Sequence, residues 1–86
     1  MKKVIKFWAP WCGPCKMYAP TFTTVSEKYK DQIQFIEVDV DQDSEGLAGE
    51  YKVRNIPFTV LVREDGSILS KVGVLSESQL EELILS

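Results

Sequence analysis

There is no histidine anywhere in these 86 residues. That absence removes the Cys-His dyad and the Ser-His-Asp triad together, because neither keeps a base to take the nucleophile's proton. Cysteine is nearly absent as well, with two in the whole chain. A tetrahedral metal site built on them needs two further good ligands, and only carboxylates remain to supply them. The chain has no excess of positive charge: its net charge is −3, whereas nucleic-acid binding calls for clustered Lys and Arg. No apolar run approaches the roughly 20 residues that cross a bilayer as a helix, so no membrane association is expected. Linkers, repeats and low-complexity stretches are also missing, and residues 1–86 are expected to form a single domain. A chain of this length buries roughly 60–65% of its unfolded surface. Its hydrophobic share of 44% is that of an ordinary globular domain.

Met1-Lys2-Lys3 has the outline of a signal-peptide start, but Lys6 interrupts the apolar run behind it. Cleavage there would also cut into the cysteine pair. A cytoplasmic protein is therefore expected. In that compartment a permanent disulfide is uncommon, and a closely spaced cysteine pair is more often catalytic or metal-binding.

What is present centres on Trp11-Cys12-Gly13-Pro14-Cys15. An apolar segment at residues 3–9 precedes it, as expected of a buried parallel strand. From Cys12 to about Lys30, the residues Tyr18, Phe22, Val25 and Tyr29 recur at spacings of four, three and four, which is one helix face. Pro20 lies inside that helix and is expected to kink it. A second strand is read at 33–40, and the strand–helix–strand crossover implies a parallel, right-handed pair. A short helix is expected around Ser44–Tyr51. Phe58–Arg63 and Ser67–Val72 then flank Glu64-Asp65-Gly66 as a hairpin. Ser76 and Gln79 form a capping box for a last helix, with Leu75 stapled onto Leu80 and an apolar face of Leu80, Leu83 and Ile84. The order βαβαββα defines an α/β domain.

A thiol attacks a disulfide only as its thiolate. Cys12 at the start of a helix is favoured in that form by unpaired N–H groups and by the helix dipole. Cys15, three positions on, lies on the same side of the first turn, close enough to form a disulfide after slight adjustment. Pro14 supplies a helix-ready φ, and Gly13 leaves room for another chain. These features favour a redox dithiol in which Cys12 attacks and Cys15 resolves. A static disulfide and half of a shared metal site are the competing readings.

The run Trp8-Ala9-Pro10-Trp11-Cys12-Gly13-Pro14-Cys15-Lys16-Met17 resembles the thioredoxin signature. Pro20 matches that family's helix proline, Ile56-Pro57 its cis-proline, and Lys71-Val72-Gly73 with Leu75-Ser76 the glycine before its last helix. The resemblance covers essentially all 86 residues. It implies a thioredoxin-like fold with a four-stranded mixed sheet flanked by helices. It also implies a protein-disulfide reductase without an organic cofactor, recharged by a thioredoxin reductase or an equivalent donor and acting as a monomer on disulfide-containing proteins. Trp11, Gly13, Pro14, Ile56, Pro57 and Gly73 would receive the substrate. A dedicated electron donor to one partner, such as ribonucleotide reductase, and a redox-inert binding module of the same fold are the alternatives.

Three departures from the family stand out. The match begins at what would be the family's second strand, which leaves strand 33–40 as an exposed edge, with Glu37 and Asp39 available to blunt unwanted pairing. Lys6 occupies the position where the family usually has a buried Asp. Lys6 is expected inside, partnered by Glu37 and tuning the dithiol; the bland alternative is a lysine that snorkels to water. Phe58 stands where the family usually has Thr, either shaping the groove or filling core. Finally, Asp39, Asp41, Asp43 and Glu50 imitate calcium-loop spacing, but Ser44 replaces the required glycine and a strand precedes them. These acids are expected to begin the second helix instead.

Overall fold

A computed structural model describes all residues, 1–86. Strand β1 (Lys2–Trp8) leads into helix α1 (Gly13–Tyr29), and strand β2 (Ile33–Asp39) ends in a one-turn 3₁₀ helix at Val40–Gln42. A single turn of helix α2 (Leu47–Glu50) follows. Strands β3 (Phe58–Val62) and β4 (Ile68–Val72) then form a hairpin, and helix α3 (Glu77–Ile84) closes the chain. The sheet order is β2-β1-β3-β4, with β1 parallel to β2 and antiparallel to β3. The four-stranded mixed sheet expected of the chain is the one it forms.

Alternation along β1 divides the core into two layers. Val4 joins Tyr18, Phe22 and Val25 of α1 and Leu80, Leu83 and Ile84 of α3 in one cluster. Ile5 and Phe7 point to the other face and join Val38 and Val60, with Leu47, Ala48 and Tyr51 around α2 packed against them. Helices α1 and α3 thus cover one face of the sheet and α2 the other. Lys6 has the parity of Val4, so it enters the α1 face. Phe58 lies in the second layer, with its ring centroid 6.4 Å from that of Phe7. It fills core, and of its two readings that is the one the packing supports.

Local chemistry explains most of the boundaries. Ser76 accepts from the Gln79 N–H while the Gln79 side chain accepts from the Ser76 N–H, so the capping box starts α3 as expected. In the hairpin, Gly66 takes a φ of 88° and Asp65 accepts from both the N–H and the hydroxyl of Ser67. The second helix is shorter than the expected Ser44–Tyr51, because Gly46 breaks its first turn with a left-handed φ of 70°. Asp43 still serves its start: its two carboxylate oxygens accept from the Leu47 and Ala48 N–H groups at 2.9 and 2.8 Å. Strand β2 lies at the sheet edge with Glu37 exposed on it. Asp39 is less free for blunting the edge, because it accepts from the Asp41 N–H and caps the 3₁₀ turn.

Between α1 and the sheet, the buried Tyr18 hydroxyl pairs with the Thr59 hydroxyl of β3 at 2.8 Å. Burial pushes its pKa from 10.0 up to about 12, with the Thr59 hydrogen bond opposing the rise. Since the folded value lies above the unfolded one, this stabilisation is complete below pH 10 and is lost as the pH climbs towards 12. Urea titrations are expected to show about 2–3 kcal/mol of stability disappearing over that window. Tyr18→Phe is expected to flatten the alkaline loss; an unchanged alkaline limb would assign it to another group.

Candidate active site

Cys12 sits at the N-cap of α1 with extended φ and ψ of −90° and 107°, and its Sγ accepts from the Cys15 N–H at 3.2 Å. The sulfur thus takes the place that a serine or aspartate oxygen takes in an ordinary cap. Pro14 falls within the first two helical positions, and no acid lies in the first turn to oppose negative charge on the sulfur. Cys12 and Cys15 are joined in a disulfide with a Cα–Cα distance of 5.2 Å, inside the usual range. Both cysteines are buried and pack with Ala9, with Trp8 and Ile56 against them.

Contacts from distant parts of the chain complete the surroundings. The Cys12 Sγ lies 3.9 Å from the Ile56 carbonyl oxygen. The Ile56–Pro57 bond is cis, as the resemblance implied. The Pro57 carbonyl accepts from the Gly73 N–H at 2.8 Å, and Gly73 holds a φ of 96° that L side chains rarely adopt. Cys12, Ile56, Pro57 and Gly73 therefore form one continuous strip. Trp11 is 69% exposed, and open space faces Gly13 and Gly73.

Two features of this surface carry no sequence signal. The Trp11 indole N–H donates to the Asp41 carboxylate at 2.8 Å across a sequence separation of 30, which holds the ring against the 3₁₀ turn. Val72 and Val74, on either side of Gly73, are exposed and add an apolar rim to the strip. Three acids of the calcium-like spacing are engaged within the protein: Asp39 and Asp43 accept from nearby backbone N–H groups and Asp41 from the distant Trp11 indole.

Lys6 is 4% exposed, and its ammonium stands 3.6 Å from the Glu37 carboxylate on the paired position of β2. It also lies 4.9 Å from the Phe22 ring centroid and 5.9 Å from that of Tyr18. This is a lysine folded inwards rather than one reaching to open water.

A redox-active cysteine pair at the N-terminus of the helix that follows a central strand defines a thiol–disulfide oxidoreductase of the α/β class. Comparison with known proteins narrows the class. A family model described as thioredoxin matches residues 1–86. The Bacillus subtilis thioredoxin is 43% identical over 79 residues, covering 91% of this chain and 74% of its own length. The Mycoplasmoides gallisepticum thioredoxin is 43% identical over 84 residues, covering 96% and 81% respectively. The oxidised mitochondrial thioredoxin 3 of Saccharomyces cerevisiae superposes with a TM-score of 0.82 at 39% identity, over 98% of this chain and 76% of that one. The chain belongs to the thioredoxin family, whose members are protein-disulfide oxidoreductases acting on disulfide substrates and reduced by thioredoxin reductase. No helix is long and apolar enough to cross a membrane.

Proposed function

We propose that this protein is a cytoplasmic, monomeric reductant of protein disulfides in which Cys12 attacks and Cys15 resolves. The observation that carries the reading is the position of Cys12: its sulfur caps α1 and lies 3.9 Å from the Ile56 carbonyl, beside the exposed Trp11 and the open space over Gly13 and Gly73. In the reduced protein, the N–H groups of the first turn and the helix dipole stabilise a Cys12 thiolate. That thiolate attacks one sulfur of a substrate disulfide and expels the other as a thiolate, leaving a mixed disulfide. Cys15 then attacks the Cys12 sulfur, the second substrate sulfur leaves, and two electrons have passed to the substrate. The product is the Cys12–Cys15 disulfide, which a thioredoxin reductase or an equivalent donor returns to the dithiol. The chemistry needs no cofactor in this chain.

Trp11, Ile56 and Gly73 supply the surface for the substrate segment, with Gly13 and Pro14 beside the attacking sulfur; Pro57 itself is buried beneath them and acts by placing Ile56 and Gly73. None of these residues is charged, which suits many unrelated disulfides rather than one partner. Insulin reduction by dithiothreitol tests the activity. Catalytic amounts of the protein are expected to shorten the lag before the B chain precipitates; an unaltered lag would leave a redox-inert module of the same fold.

A further inference from the structure

Behind Cys15, on the α1 side of the sheet, a cavity of 150 Å³ is lined by Lys6, Trp8, Cys15, Lys16, Ala19 and Glu37. The resolving cysteine therefore shares one small space with the ion pair of buried Lys6 and half-exposed Glu37. The charged groups around it come from three elements: Lys6 on β1, Glu37 on β2 and Lys16 on α1. Tyr18 is also near, but its hydroxyl is directed to Thr59 of β3. Of the three charged groups, Lys6 is the one enclosed by protein, with aromatic rings of α1 on one side and the Glu37 carboxylate on the other. Glu37 is 47% exposed and borders the cavity from the sheet edge. A charge held in protein acts on a neighbour far more strongly than one in water.

We propose that Lys6 and Glu37 are positioning residues for the resolving step, acting on Cys15 in opposite senses. This rests on the thiol–disulfide exchange reading above. The Lys6 ammonium favours the Cys15 thiolate, and Glu37 holds that ammonium in place while partly offsetting its field. In the mixed disulfide, the Cys15 S–H releases its proton to solvent through the cavity mouth. The resulting thiolate forms the bond to Cys12 Sγ, and the Cys12–substrate bond breaks. The substrate sulfur leaves with the electron pair and takes up a proton from solvent. No buried base is required, because the cation lowers the cost of the thiolate directly.

The test reads the Cys15 thiol alone, by thiolate absorbance near 240 nm against pH in a Cys12→Ser background. Lys6→Met is expected to move the midpoint up by about one pH unit. Glu37→Gln is expected to move it down, by up to about one unit. Opposite signs support the pair; shifts of the same sign, or none, overturn it. A purely structural pair gives no such antisymmetry. If circular dichroism shows Lys6→Met unfolded, Glu37→Gln decides alone: a downward shift supports the proposal, and an upward or absent shift overturns it. The titration does not depend on turnover, so failure to reduce insulin would strike the functional reading and leave this result standing.

Discussion

In a Cys15→Ser variant, the mixed disulfide between Cys12 and a substrate is expected to accumulate instead of resolving. The resolving sulfur is the one group in the chain that can expel the substrate, because the sequence contains no third cysteine. The serine hydroxyl in its place is far too weak an acid to attack a disulfide at neutral pH. Adducts should run as slower bands on non-reducing gels and collapse with dithiothreitol. Cys12→Ser is expected to give no adducts and to lower insulin reduction to the rate without protein. If Cys12→Ser still traps substrate while Cys15→Ser does not, the two roles are reversed. The bands also separate two forms of the proposed function: many adducts indicate a general reductant, and one dominant adduct indicates a dedicated donor.

Phe22→Ala is expected to have the largest effect on stability. Phe22 is buried between α1 and the sheet, with its ring 5.9 Å from Tyr18 and 5.7 Å from Phe35, both in tilted or edge-on geometry. It also lies beneath the Lys6 ammonium. Truncation removes these contacts and leaves a cavity, at a cost of about 3–5 kcal/mol. For a chain of this length the total stability is on the order of 4–13 kcal/mol, so much of it is at stake. Urea denaturation should show the midpoint falling by more than about 1 M with an unchanged slope. Met17→Ala, on the same helix but 72% exposed, should stay within about 0.5 kcal/mol of the parent. Equal losses in the two would contradict the burial pattern of α1.

Regular elements with local causes were readable in advance. The face of α1 follows from the spacing of Tyr18, Phe22 and Val25, all buried. The start of α3 follows from the Ser76 and Gln79 box. The α2 segment is less legible: a helix around Ser44–Tyr51 is expected, whereas Gly46 adopts a left-handed φ that confines it to Leu47–Glu50. Composition says that glycine permits such a turn, and only the surrounding packing says whether the turn is used.

At the site the same division holds. By itself the sequence determined the reacting pair, its place at a helix start and the absence of any competing nucleophile–base system, because these depend on residue type and short spacing. It also carried the resemblance through Pro57 and Gly73. Only the tertiary structure decided that Ile56 and Gly73 meet Cys12 and Pro57 in one strip, that Asp41 holds Trp11, and that Lys6 lies inside against Glu37. Each of these joins elements far apart in the chain. The sheet order brings β1 between β2 and β3, and that pairing sets which side chains share a face and which charges share a cavity.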